Sequence, residues 1–109
     1  MATSVRVVQE WRQETKGSDF VNLEDETCWF LQNRHTGVLT SAIRPYATDA
    51  VFNGTQLDRL LAEMRGAAAE TPVATIAENL RDVVRYVEER LPEPDSTGDY
   101  SRYVICVSD

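Results

Sequence analysis

Asp49, Asn53 and Gln56 come nearest, among the residues of this chain, to types and spacings that do chemistry. They stand at the mouth of an expected helix, where the open backbone N–H groups and the side-chain amides suit a small anion or a backbone carbonyl. With Tyr46 or Arg44 beside them, such a corner would serve a small enzyme or ligand-binding domain. The preferred reading is plainer: Asn53 caps the helix and Asp49 orders the turn before it, so the three form a structural motif.

The other chemistry-bearing side chains are few. His35 is the single histidine, which removes every metal site needing two imidazoles and makes zinc improbable. Cys28 and His35 fall, on this reading, on one strand and at the tip of its hairpin. At about 3.3 Å rise per residue they lie roughly 15 to 20 Å apart, too far for a dyad. Cys28 and Cys106 sit inside apolar runs and read as small buried hydrophobes. There is no glycine-rich phosphate loop, no Gly-x-Ser-x-Gly elbow and no zinc-finger spacing. The residues therefore assign no catalytic, cofactor-binding or metal-ligating group and require no cofactor, and the chain reads as a non-enzyme.

Charge says more than motif. The 109 residues carry 18 acids against 11 bases, a formal net charge of −7. No basic stripe of the kind that contacts phosphate backbones is present, so direct nucleic-acid binding is not expected. Acids gather at Glu24-Asp25-Glu26, at Glu88-Glu89 and through Glu93, Asp95 and Asp99. Glu88, Glu89, Glu93, Asp95 and Asp99, with Tyr100 as aromatic anchor, make up the expected partner-binding surface, and a basic protein is the partner it would steer.

The elements that position these residues follow from periodicity. Residues 4–13 alternate, with Val5, Val7 and Trp11 on one face and Arg6, Glu10 and Arg12 on the other, which predicts a half-buried strand. Residues 19–26 suit a short strand or a loop equally. Residues 27–33 and 37–43 read as two strands of a hairpin turning at Arg34 to Gly37. Its first arm is apolar on both faces, with Trp29 and Leu31 opposite Cys28 and Phe30, and should lie inside the sheet.

Leu57, Leu60, Leu61 and Met64 then mark a helix ending near Glu70. Ile76, Leu80, Val83, Val84, Val87 and Leu91 mark a second, opened near Thr71-Pro72 or by Thr75 with Glu78, and closed by Pro92. Pro92 to Asp99 is a polar loop, and Tyr100 to Ser108 a last strand. The expectation is a single α+β domain over residues 1–109, in the order β(β)ββααβ. A mostly antiparallel sheet of four to five strands would carry two helices on one face, the last strand antiparallel to the one ending at Ile43.

Residues 44–56 resemble a segment of small, uncharacterised bacterial proteins, written roughly Asp-Pro-Tyr-Gly-Asp-Thr-Val-Phe-Asn-x-x-Gln. Pro45, Tyr46, Asp49, Val51, Phe52, Asn53 and Gln56 match, as does the terminal Asp109 after a hydrophobic strand. Arg44 replaces the first acid, Ala47 replaces the glycine, and one extra residue precedes Asp49. The resemblance implies a mixed α and β fold and carries no established activity.

No apolar run approaches the roughly 20 residues that span a bilayer. Residues 1–10 show neither a basic leader nor an apolar h-region, so the expected compartment is the cytoplasm, where both cysteines stay thiols. Small size, acidity and absent catalytic motifs are also similar to the profile of bacterial immunity proteins. The expected function is accordingly a non-enzymatic protein-binding module, an immunity protein or antitoxin that neutralises a basic effector. The two alternatives are the ligand-binding corner above and a homodimeric regulatory or structural subunit whose sheet is completed by a second copy.

Overall fold

The computed structural model describes residues 3–9, 20–34, 37–40, 43, 50–91, 96 and 102–108, with backbone alone for 8–9 and 102–108. Seven elements follow one another: β1 (Thr3–Gln9), β2 (Val21–Leu23), α1 (Asp25–Asn33), β3 (Ala50–Phe52), α2 (Leu57–Glu70), α3 (Ala74–Arg90) and β4 (Arg102–Ser108). The sheet order is β2-β1-β4-β3. Its body is the pair of seven-residue strands β1 and β4, antiparallel from Thr3↔Ser108 to Gln9↔Arg102. Strands of three residues flank it, β2 against β1 and β3 against β4, both antiparallel.

Among the described residues the expected order β(β)ββααβ is corrected to ββαβααβ, with three helices in place of two. Residues 27–33, expected as the inner arm of a hairpin, belong to α1, and Arg34 is that helix's C-cap. Leu39 lies in a turn and Thr40 in a 3₁₀ turn, so the described part of 37–43 contains no second arm. The physical reason is in the burial. Thr27, Cys28, Phe30 and Leu31 are buried while Trp29 stands 54% exposed. A strand would place Trp29 and Leu31 on one face; here they part, as residues two apart on a helix do. The last strand consequently lies against β1 and β3, not against a strand ending at Ile43.

The acids preceding the apolar run explain where α1 begins. Asp25 and Glu26 occupy its first turn, where the helix dipole favours negative charge. Asn79 of α3 clamps the entry: its Oδ1 accepts the Glu24 N–H at 2.9 Å and its Nδ2 donates to the Asn22 carbonyl at 2.8 Å. One side chain thus ties the end of β2 and the start of α1 to α3. Thr75, expected in a capping box with Glu78, instead donates its hydroxyl to Glu26 Oε1 at 3.0 Å, and Val73 is the N-cap without a side-chain cap bond.

The helices α2 and α3 form a helical hairpin across Thr71-Pro72-Val73, and α3 lies against β1, β2 and α1. The core stripe read from the sequence is the buried one: Leu57, Leu60, Leu61, Met64, Ile76, Leu80, Val83, Val84 and Val87 are all buried, with Leu91 packed against them. Gly66 sits inside α2, which ends at Glu70. Residues 39 and 40 are held from α2. Glu63 accepts the Leu39 N–H at 2.9 Å, the Thr40 N–H at 3.0 Å and the Thr40 hydroxyl at 3.2 Å. Arg59 holds the same carboxylate from one turn earlier, at 3.3 Å. Gly37 lies so close that a Cβ there would strike Glu63 Oε1 and Thr40 Oγ1.

Candidate partner-binding surfaces

Asn53 and Gln56 meet in the turn that leads into α2. Gln56 Oε1 accepts the Asn53 N–H at 3.0 Å, while Asn53 Oδ1 accepts the Thr55 N–H at 3.1 Å and its hydroxyl at 2.6 Å. Only one half of a capping box is present: the Gln56 side chain occupies the Asn53 N–H, while the Asn53 side chain closes a local turn on Thr55. It is set one turn ahead of the regular helix, since Gln56, in helical conformation, immediately precedes Leu57. Both acceptor oxygens are engaged locally. Asp49, Tyr46, Arg44 and the rest of the 44–49 segment lie outside the described residues, as does His35.

Cys28 is fully buried and free, with its Sγ 3.7 Å from Thr3 Oγ1. Burial pushes its thiol above the ordinary value, Thr3 opposing and the nearby Asp25 and Glu24 carboxylates adding to the rise. A buried, protonated thiol is a poor nucleophile. The distance that separated Cys28 from His35 assumed strand geometry, which α1 replaces; what removes the thiol from chemistry is its burial. Cys106 pairs by backbone with Val5 and Ala50. Among the described residues, no group of three His, Cys, Asp or Glu side chains could hold a metal ion, and no helix is long and apolar enough to cross a membrane.

The acidic surface expected around Glu88 is only partly in view. Glu88 accepts from Arg65 Nη2 of α2 at 2.9 Å, and Glu89 lies 3.8 Å from Arg90. Glu93, Asp95, Asp99 and Tyr100 lie outside the described residues. Glu88 in fact borders a groove of about 300 Å³ lined by Arg65, Arg81 and Arg85, with Ala68 and Val84. The field there is mixed in sign.

A second surface, missed in the sequence, is carried by α1. Trp29 projects from it, and the guanidinium of Arg34 lies over its indole ring, 5.5 Å from the centroid. Glu26, three residues earlier and so on the same helical face, is exposed, as are Glu24 and Asn33. Large aromatics are seldom left half in water. The signal that could have found this surface was the acidic triplet 24–26 just ahead of an apolar run, a helix-start signature. Read as a helix, the run puts Trp29 off the core face. The chain matches no family model, no curated protein and no solved structure.

Proposed function

We propose that this protein is a non-enzymatic protein-binding module, of the immunity-protein or antitoxin kind, that occludes a basic effector. The observation that carries the reading is Trp29, a 54% exposed indole on α1, in a chain of net charge −7. Tryptophan is enriched, with tyrosine and arginine, among the residues that anchor protein interfaces. The ring already carries a guanidinium, that of Arg34, and a cationic side chain of a partner would be held by the same quadrupole attraction. Glu24 and Glu26 supply the rim charge that steers such a partner. The bacterial origin suggested by the Pro45 to Gln56 motif, and a cytoplasmic site of action, belong to this proposal.

The test is capture from native lysate, followed by binding measurements with the purified captured protein. The expected partner is basic. Its affinity should fall at least tenfold with Trp29→Ala, and its association rate should drop with added salt, which screens rim charges. Glu89→Lys serves as the comparison for the surface at the end of α3. If Glu89→Lys weakens binding and Trp29→Ala does not, the interface lies on α3 and β4's approach, with Glu93, Asp95, Asp99 and Tyr100. An acidic partner, or one indifferent to both substitutions, overturns the proposal.

The homodimer reading has one observation in its favour. β3 is an edge strand, and its Val51 is 55% exposed, so a second copy could extend the sheet there. Light scattering at increasing concentration decides it, a dimer lost on Val51→Lys being the supporting result.

A further inference from the structure

The groove between α2 and α3 is built against the charge of the rest of the molecule. In a chain with 11 basic residues and 18 acids, three arginines, Arg65, Arg81 and Arg85, line one opening of about 300 Å³, together with Ala68, Val84 and Glu88. Arg81, Val84, Arg85 and Glu88 follow one another at helical spacing on α3, and Arg65 and Ala68 do the same on α2. Ala68 and Val84 are buried and form an apolar floor between basic walls.

Like charges four residues apart on a helix repel, and Arg81 and Arg85 stand in that relation. Among the described residues, little relieves it. Arg65 is engaged by Glu88 at 2.9 Å. Arg85 reaches Asp82 only at 4.0 Å, between two largely exposed side chains. Arg81 has no ion-pair partner among the described residues. Arg65 and Arg85 are both more than half exposed, so the guanidiniums can turn into the groove.

We infer that the α2–α3 groove is an anion site, taking a small molecule that bears a phosphate or carboxylate group on an apolar body. Planar guanidiniums bind such oxyanions through paired N–H donors, and the Ala68–Val84 floor would carry the apolar part. Glu88 is the built-in competitor: its carboxylate occupies Arg65 until a better oxyanion displaces it. The overall negative charge repels anions from a distance, so binding depends on multidentate contact at the groove itself. The inference is independent of the proposed effector surface on α1, and either can fail without the other.

The test is an amide NMR titration of the full chain with inorganic phosphate, pyrophosphate and citrate, each against sodium chloride at equal ionic strength. Pyrophosphate or citrate should shift the Ala68, Val84 and Arg85 resonances saturably. The double variant Arg81→Gln/Arg85→Gln should weaken that binding at least tenfold while circular dichroism stays unchanged, since both side chains are at the surface. Glu88→Gln, which frees Arg65, should tighten it about threefold or more. Glu89→Gln removes the same charge without freeing Arg65 and should change it less. Tighter binding of pyrophosphate points to a phosphorylated ligand, and tighter binding of citrate to a carboxylated one; either supports the site. Shifts no larger than those from chloride, shifts that survive the double arginine variant, or weaker binding in Glu88→Gln overturn it.

Discussion

Gly37 lies against the Glu63 carboxylate with no room between them. The Glu63 carboxylate takes two backbone N–H groups and a hydroxyl from residues 39 and 40, and the space beside it admits no Cβ at Gly37. Gly37→Ala is therefore expected to cost about 1–3 kcal/mol, the range for overpacking a filled site. Because the clash is shared between Glu63 Oε1 and Thr40 Oγ1, the same substitution should cost less, though still something, when Glu63 is already Ala. Urea melts of the two single variants and the double variant measure that coupling; strict additivity would show that the carboxylate is not what excludes the Cβ. A second residue-scale expectation concerns Cys28. Its thiol is raised above the ordinary 9.0 by burial, so the folded state holds the proton more tightly than the unfolded one. The contribution is fully present below pH 9 and lost as pH rises through the folded value. Unfolding free energy should fall with pH above 9 in the native sequence, and Cys28→Ala should flatten that slope.

At the scale of elements, α1 separates what pattern could deliver from what it could not. The α2 and α3 stripes run over 14 and 17 residues, long enough for a 3.6-residue period to declare itself, and their buried faces were legible from Leu57 to Val87. Cys28-Trp29-Phe30-Leu31 is a four-residue apolar run, for which strand and helix differ only in which residue is left outside. The acids at 24–26 held the missing information as a first-turn signal. Asn53, expected as the helix cap, instead closes a turn on Thr55, and Gln56 is the N-cap without a side-chain cap bond; the sequence showed that these side chains bond locally, not which residue starts the helix. The arginine groove was not legible, because Arg65 meets Arg81 and Arg85 only once two helices are packed. Helical packing of α1 has its own test: Leu31→Ala should cost about 2–5 kcal/mol, and Trp29→Ala less than about half a kcal/mol. Comparable losses at both would restore the strand. In the α2–α3 hairpin, Leu61→Ala and Val84→Ala should each cost roughly 2 to 4 kcal/mol. Asn53→Ala should cost about 1 kcal/mol through the bonds its Oδ1 accepts from Thr55. Denaturant melts read all three.

At the scale of the whole molecule, the sheet depends on residues from opposite ends of the sequence. β4 lies between β1 and β3 and pairs with both, so removing residues 102–108 takes out an inner strand and leaves β3 without its neighbour. A chain ending at residue 101 is expected to lose cooperative unfolding and the dispersed amide spectrum of a folded protein. Retention of a sharp thermal transition would mean that the helices and β1–β2 stand alone. Among the described residues, Asn79 is a polar link between the helical hairpin and the β2–α1 junction. Asn79→Ala, removing bonds to Asn22 and Glu24, should loosen the β2–α1 junction and speed hydrogen exchange there more than in α2.

Thr3 and Ser108 face each other across the central ladder, which places the two ends of the described chain within a cross-strand spacing of roughly 5 Å. The described residues thus come close to a closed loop. A permuted gene that joins the end of β4 to the start of β1 through a few glycines, and opens between α2 and α3 at the exposed Pro72, would keep every pairing. It would also turn the most distant contact in the sequence into a local hairpin. Such a chain should reach the same fold and reach it faster, since rates rise as contacts become local, and stopped-flow refolding of the two forms would show by how much closing that loop sets the pace.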